Sequence, residues 1–300
     1  MKFRFFYAIL TITLCFLTLS GCNSVAENKN SSTVKDSSRI VSVGTAITET
    51  IYALGAGERV VGVDNSSREY IPDAKNLPTV GARNALNAEG ILSLKPTLVI
   101  LGADSAPPQI FDQLRNAGIA VLTLTPDYTT ETVKSKVLTI AKAVGMDAKA
   151  AEINNEIDNK MSEVNKMLAN VNEKPKVMFV GRGPNMPNAT MSGAGTTIDE
   201  MIKLAGGTNP FTDFTGFREM TDEAVVAAQP DIILMTIKSF ERSGGVDGVL
   251  KFPGVALTPA GKNKRIVTVS DMYFQGFGPG VGTAVRELAV KFHPELAEQK

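Results

Sequence analysis

An internal repeat constrains the fold of this chain more than any other feature of its sequence. Residues 89–96 begin with Glu, end with Pro and precede an apolar run, and residues 223–230 do the same. The proline lies seven positions after the glutamate in both copies. Two copies of one helix-then-strand signal, so far apart in the chain, indicate two related halves.

A second pair of matching segments lies upstream of the first pair. Residues 48–57 and 198–207 both have a helical pattern that ends at glycines, which is typical of left-handed helix caps. Each follows a β-rich run that ends in Gly, at 39–44 and at 176–181. Strands that alternate with helices predict parallel sheets covered by helices on both faces.

Residues 147–170 separate the two halves, and we predict one long solvated helix there. Apolar residues recur at the spacing of one helix face: they are Ile153, Ile157, Met161, Val164 and Leu168. By itself this pattern is typical of an ordinary surface helix, and the flanking repeat is what favours a connecting role. The segment contains no Pro or Gly, so we expect little bending.

The predicted fold is therefore α/β, with two Rossmann-like lobes joined by a single long helix. We place the first lobe at residues 39–146, the connecting helix at 147–170 and the second lobe at 171–300.

Three local predictions follow from residue types inside the lobes. Thr45 is expected to cap the helix after the first strand. Residues 64–78 are expected to form a long polar loop that carries Tyr70, at a strand end where α/β proteins bind ligands. Glycines at 244, 245 and 248 are expected to interrupt a mobile loop.

The N-terminus has the features of an export signal. A short positive region precedes an apolar core at 5–17, and residues 19–22 are Leu-Ser-Gly-Cys. This tetrapeptide resembles the bacterial lipobox, in which the cysteine, here Cys22, is acylated and becomes the first mature residue. The alternatives are a transmembrane anchor, for which the apolar run is short, and an ordinary cleaved signal. We predict a signal peptide at 1–21 and, because 22–38 is polar and aperiodic, a flexible tether there.

Composition excludes several classes of function. The formal charge is zero with no long basic run, so nothing indicates nucleic acid. The single histidine, His293, excludes histidine metal clusters and Ser-His-Asp machinery. Cys15 leaves with the signal, so the mature chain has no disulfide. Neither nucleotide-binding motif is complete, no paired carboxylates stand out, and an enzyme therefore has no positive support.

A cleft between two lobes could bury a large flat apolar ligand. The side chains expected on its lips are Tyr70, Met186, Met191, Phe217, Tyr273, Phe274 and Phe277. The arginines that could hold carboxylates are Arg68, Arg83, Arg182 and Arg218. A deprotonated tyrosine suits ferric iron, and tyrosine is a known axial ligand of haem. The alternative for these aromatic and methionine residues is ordinary packing at the edge of a core.

The repeated blocks, the glycine-ended helices, the lipobox and the single connecting helix together resemble the periplasmic-binding-protein family that feeds metal-chelate ABC importers. Within that family, residues 88–96, 254–261 and 273–279 are similar to the haemin-binding branch. The resemblance covers nearly everything from Arg39 to the C-terminus. It implies a monomeric, extracytoplasmic, lipid-anchored carrier without an intrinsic cofactor, which passes haemin to an ABC permease and its ATPase.

The resemblance also implies roles for single residues. Tyr70 matches the family's axial tyrosine, Arg83 and Arg182 are propionate partners, and Tyr273 is a second wall or ligand. Glu89 and Glu223 match two glutamates, one on each lobe, that dock arginines of the permease. Without the resemblance, both glutamates are helix first-turn carboxylates that the helix dipole favours.

Two departures from the family pattern bear on the ligand. Residues 181–190 contain no histidine, which some members use as a second axial ligand, and Gly280 stands where the family often has arginine. A ferric siderophore or corrinoid carrier of the same importer class is therefore the alternative. A cell-surface enzyme or sensor on the same scaffold is the alternative from another class.

Overall fold

The structure is a computed structural model that describes residues 36–183, 188–272 and 277–298. Cys22, Met186, Tyr273 and Phe274 lie outside these ranges, so their roles stay sequence-based predictions. None of the helices in the described ranges is long and apolar enough to cross a membrane.

The first lobe is built around a parallel sheet. Its strands are β1 (Ile40–Val43), β2 (Val60–Val63), β3 (Gly81–Ala82), β4 (Ala85–Leu86), β5 (Leu98–Gly102) and β6 (Ala120–Leu124). Four of them pair in parallel in the order β2-β1-β5-β6, and β3 and β4 form a separate hairpin. Apart from Ser42, the residues of β1 and the first four of β5 are apolar and buried, because both faces of this sheet are covered.

Helices cover both faces of the first sheet. They are α1 (Thr45–Ala53), α2 (Asn65–Tyr70), α3 (Ala88–Ser93), α4 (Ile110–Asn116) and α5 (Thr130–Val144), with 3-10 turns at Gly57–Arg59 and Pro72–Ala74. On β1, Ile40 packs in one apolar cluster with residues of α1 and α5, and Val41 and Val43 pack in another with residues of α3 and α4. This alternation follows the two-residue period of a strand.

The second lobe has a mixed sheet. Its strands are β7 (Val177–Gly181), β8 (Thr190–Ser192), β9 (Phe217–Glu219), β10 (Ile232–Thr236) and β11 (Ile266–Val269), in the order β11-β10-β7-β8-β9. β7, β10 and β11 are parallel, whereas β8 and β9 are antiparallel additions. The prediction of parallel sheets is thus confirmed for the first lobe and wrong for one edge of the second.

A long helix, α6 (Asp147–Leu168), joins the lobes. The other helices after α5 are α7 (Thr197–Leu204), α8 (Asp222–Ala228), α9 (Ile237–Arg242), α10 (Gly245–Val249), α11 (Pro259–Lys262) and α12 (Val281–Phe292), with 3-10 turns at Val255–Leu257 and Pro294–Glu298. α6 packs against α5 of the first lobe and α12 of the second.

The predicted apolar stripe is the buried face of α6. Ile153, Ile157, Met161 and Val164 are buried, Ala150 extends the stripe, and the last predicted member, Leu168, is only partly buried. These side chains belong to one apolar cluster that also contains core residues of both lobes. The helix therefore forms part of the core on either side, and the predicted α/β fold of two lobes with a connecting helix is confirmed.

The internal repeat is also present in the backbone. Glu89 and Glu223 both occupy the second position of a short helix, and in each case the preceding residue outside the helix caps it with its side chain. Six residues later, Lys95 (φ 50°) and Gln229 (φ 45°) are both left-handed. Few non-glycine residues adopt this conformation, so its presence at matching positions supports a common origin for the halves.

Two predictions near the first strands are wrong. Gly44, with φ 116°, precedes α1, no side chain caps this helix, and Thr45 is its buried first residue. The expected loop at 64–78 contains α2 and a 3-10 turn, so Tyr70 is the last residue of a helix. A six-residue helix is too short to show periodicity in the sequence.

The expected mobile loop around Gly244 is also wrong, because α9 and α10 occupy this region. Gly244 and Gly245 have φ of 83° and 68° and connect the two helices. A Cβ on Gly248 would lie 1.5 Å from the carbonyl oxygen of Ser243. These glycines therefore permit a tight backbone turn.

Candidate ligand-binding site

A cavity of about 700 Å³ lies between the lobes. In the first lobe its wall is formed at the carboxyl ends of β1, β2, β5 and β6, and in the second lobe by residues of β7, α7, β9 and β10. Ligands of open α/β folds bind at these strand ends. The volume lies within the range of about 300–1,000 Å³ that is usual for small-molecule sites.

Aromatic side chains from both lobes line the cavity. They are Tyr128 from the first lobe and Phe179, Phe217 and Phe277 from the second. The rings of Tyr128 and Phe277 meet edge to face, with centroids 6.3 Å apart, and this contact crosses from one lobe to the other. Phe217 is 58% exposed although it lies in a strand. The cavity therefore offers apolar surfaces to a flat ligand.

Backbone groups add positive partial charge to the cavity. The N-terminal residues of α1, at 44–46, and of α7, at 196–198, line it on opposite lobes. Unpaired N–H groups at a helix start attract anions. Asp64 is buried beside α1, where its carboxylate accepts hydrogen bonds from the backbone N–H of Gly44, at 2.9 Å, and from the hydroxyl of Ser67.

Of the residues with described positions, two cationic side chains line the cavity, and both belong to the first lobe. Arg83, at the tip of the β3–β4 hairpin, forms a salt bridge with Asp104, which follows β5. Lys136, on α5, donates a hydrogen bond of 2.8 Å to the backbone carbonyl of Asp127 and lies 6.0 Å from the ring centroid of Tyr128. Burial lowers the pKa of Lys136, and the charges of Asp127 and Asp104 oppose that shift.

Tyr70 is not one of the residues that line this cavity. Ser66, four positions earlier on the same face of α2, does line it. The ammonium of Lys238, from the second lobe, lies 4.6 Å from the centroid of the Tyr70 ring and pairs with Glu69. Burial raises the pKa of the Tyr70 phenol, Glu69 and Asp271 raise it further, and Lys238 opposes them.

Among the four arginines expected in the cleft, the structure places only Arg83 on the cavity wall. The guanidinium of Arg182 lies 5.9 Å from a phenylalanine ring, and that of Arg218 lies 4.1 Å from another. Arg68 is exposed on α2. Met191 is 1% exposed in the core of the second lobe, so its expected place on the cleft wall is wrong.

Tyr128 and Lys136 were missed by the sequence analysis. A signal for Tyr128 was available, because residues 125–128 directly follow β6 and the carboxyl ends of parallel strands share one edge of the sheet. Lys136 gave no comparable signal. It lies beside a buried stripe of α5 that includes Val133, Val137 and Ile140, and a lysine there is most often solvated.

The two predicted docking residues, Glu89 and Glu223, are not among the residues that line the cavity. Glu89 and Glu223 are both exposed in the first turns of α3 and α8. Across the described residues, no group of three or more His, Cys, Asp or Glu side chains could hold a metal ion.

Residues 40–273 match the model of a protein family described as periplasmic binding protein. The chain belongs to the periplasmic binding protein family. Members are transport components and not enzymes, which confirms the prediction that this binding protein has no catalytic activity of its own.

Individual relatives of this binding protein agree with that membership. An uncharacterised ABC transporter substrate-binding lipoprotein of Bacillus subtilis, YvrC, is 30% identical over 96% of this chain and 97% of its own. The vitamin B12-binding protein of Photorhabdus laumondii is 26% identical over 83% of this chain and 86% of its own. The periplasmic heme-binding protein RhuT from Roseiflexus sp. RS-1 is 37% identical, with a TM-score of 0.81, over 87% of this chain and 100% of its own. The protein is thus a substrate-binding component of an ABC importer.

Proposed function

We propose that this binding protein is a lipid-anchored carrier that captures haemin in the interlobe cavity and delivers it to an ABC permease. The observation that carries the proposal is the cavity itself, which combines aromatic walls from both lobes with Arg83 and Lys136 on one side. Haemin is a flat apolar ring with carboxylates at one edge, so it requires both features. The likeness to a heme-binding structure at 37% identity supports the same choice.

Tyr70 is the proposed axial ligand of the haem iron, and because it does not line the cavity, this role implies a movement. Lys238 lies over the Tyr70 ring and pairs with Glu69. Iron can reach the phenol oxygen once Lys238 moves away, which requires a more open cleft. Arg83 is proposed as a propionate partner after it exchanges Asp104 for the ligand. Arg182 would have to leave the phenylalanine ring that it contacts to serve as the second propionate partner, and Tyr273 is proposed as a second wall or ligand.

Delivery and anchoring involve residues outside the cavity. Glu89 and Glu223 are proposed to dock the two lobes on the permease, since they occupy matching, exposed positions of the repeat. Acylation of Cys22 is proposed to hold the protein at the outer face of the cell membrane.

A corrinoid is the second candidate ligand, and a specific observation favours it. Among the residues that the structure describes, the cavity lining lacks Tyr70 and contains no arginine from the second lobe, while a relative at 26% identity is a vitamin B12-binding protein. In that case Tyr128 and the phenylalanines would pack against the corrin and Tyr70 would have no contact with the metal.

A titration followed by absorbance tests both candidates. Residues 38–300 are titrated with haemin and, separately, with cyanocobalamin, using wild type, Tyr70→Phe and Tyr128→Phe. Tyr52→Phe is the matched control, because Tyr52 does not line the cavity and its hydroxyl donates a hydrogen bond to the backbone carbonyl of Asp73. We expect a saturable tyrosinate-type haemin spectrum that is lost only in Tyr70→Phe. Saturable cyanocobalamin binding without haemin binding would replace the haemin proposal by the corrinoid one.

A further inference from the structure

We infer that Lys136 is the residue of the cleft that binds an anionic oxygen group of the ligand, and that it thereby selects ligands that carry one. The inference rests on the proposed function and adds a specificity residue to it. The group is a carboxylate if the ligand is haemin and a phosphodiester if it is a nucleotide-bearing corrinoid.

The first argument is the pairing of the cavity's cations. Arg83 is neutralised by its salt bridge with Asp104. Lys136 forms no salt bridge with any carboxylate of the described residues, although it lines the same wall. Its hydrogen bond to the Asp127 carbonyl uses one of three ammonium donors. Two donors and the charge are therefore available to a ligand.

The second argument is the position of Lys136 on α5. Val133 and Ile140, on the same helix, also line the cavity, so this face of α5 is otherwise apolar. Lys136 is half-buried, and the carboxylates of Asp104 and Asp127 act on it only through their charges. A charge held against apolar surface and short of partners gains more from an ionic ligand than an exposed one does.

The third argument is the geometry around Tyr128. The ammonium of Lys136 lies 6.0 Å from the ring centroid of Tyr128, and Phe277 of the opposite lobe meets the same ring. A flat ligand that packs on Tyr128 brings its edge groups toward Lys136. The carboxylate would then lie beside the aromatic surface that holds the ring of the ligand.

The test compares pairs of related ligands in which one member lacks the anionic group. Haemin is compared with its dimethyl ester, and cobalamin with cobinamide, which lacks the phosphodiester. Binding is measured on the full chain in lipid nanodiscs, with empty nanodiscs as the blank. The variants are Lys136→Met, which keeps the length and removes the charge, and Lys136→Arg, which keeps the charge. Lys142→Met is the control, because Lys142 is exposed on the same helix outside the cavity.

The expected result is a loss of discrimination. Lys136→Met should weaken haemin binding about tenfold or more, the usual effect of one charge-assisted hydrogen bond, and leave the dimethyl ester unchanged. Lys136→Arg should restore the preference for haemin, and Lys142→Met should match wild type. If wild type does not bind haemin, haemin is rejected as the ligand and the inference about Lys136 still stands to be tested with corrinoids. Lys136→Met should then weaken the binding of cobalamin and leave the binding of cobinamide unchanged.

Two results would overturn the inference. In the first, Lys136→Met weakens the binding of both ligands of a pair equally, which means that Lys136 only holds the loop at Asp127. In the second, Lys136→Met leaves the preference of wild type intact. A wild-type protein that binds none of the four ligands would reject both the inference and the proposed function.

Discussion

The ammonium of Lys238 lies 4.6 Å from the centre of the Tyr70 ring, and the two residues belong to opposite lobes. Glu69 pairs with the same ammonium, and the carboxylate of Asp271 accepts a hydrogen bond of 3.3 Å from the backbone N–H of Lys238. One lysine of the second lobe thus contacts the tyrosine that we propose as the iron ligand and the glutamate beside it.

Replacement of Lys238 by methionine should accelerate haemin association. An exposed cation–π contact contributes roughly 0.5–1 kcal/mol and a surface ion pair roughly 0.2–1 kcal/mol, so the loss of both should raise the association rate constant about three- to thirtyfold. Stopped-flow absorbance measures this rate. Lys251→Met, an exposed lysine elsewhere in the second lobe, is the control, and an unchanged rate in Lys238→Met would mean that the contact does not limit entry.

Glu49 should make stability depend on pH. It lies on α1, where it accepts a hydrogen bond of 3.0 Å from the backbone N–H of Gly280 in the second lobe, and burial raises its pKa from 4.5 to about 7. The folded state therefore binds the proton more tightly than the unfolded state. This contribution to stability is complete below pH 4.5 and is lost as the pH rises through 7.

The Glu49→Gln variant isolates that effect. The variant cannot ionise, so it should be more stable than wild type at pH 8 by at most roughly 3 kcal/mol, and the difference should shrink toward pH 5. Thermal unfolding at both pH values measures it as a difference in Tm. An equal difference at pH 5 and pH 8 would show that ionisation of Glu49 is not the cause.

Two glycine-to-alanine substitutions should change the free energy of unfolding in opposite directions. A Cβ on Gly282 of α12 would lie 2.6 Å from the Cβ of Lys160 on α6, so Gly282→Ala should separate the helices and cost about 1–3 kcal/mol. On α3, a Cβ on Gly90 would meet only the Cβ of Asn87, at 4.0 Å. Gly90→Ala should therefore stabilise by about 0.5–1 kcal/mol. Urea unfolding midpoints measure both, and a shift of the same sign would contradict the close packing of α12 on α6.

Removal of the two exposed glutamates should abolish delivery and leave binding intact. Glu89 and Glu223 lie in first turns of α3 and α8, away from the cavity lining. The Glu89→Ala/Glu223→Ala protein should bind haemin like wild type and fail in a permease-dependent uptake assay. Asp222→Ala, a neighbouring exposed carboxylate, should transport normally. Unimpaired uptake by the double variant would exclude these glutamates as docking residues.

The repeat and the spacing of apolar residues were sufficient to predict the two lobes and the connecting helix. The spacing of apolar residues is a local signal, since a helix face or a strand shows its period within ten to twenty residues. The repeat becomes visible when two such short segments are compared. Short elements were missed for the same reason: α2, α9 and α10 have six, six and five residues. Tyr70 was therefore assigned to a loop.

The sequence by itself determined the class of this protein, through the matching positions of Glu89 and Glu223 and the apolar stripe of α6. Only the tertiary structure decided which side chains share the cavity. Arg83 lies there, whereas Tyr70 lies outside the lining beside Lys238 and Arg182 lies over a ring of the second lobe. Lys136 reaches the cavity because α5 packs beside α1, and no spacing along the chain encodes that contact. Periodicity reports which face of an element is buried, while the neighbours of that face depend on how distant elements pack.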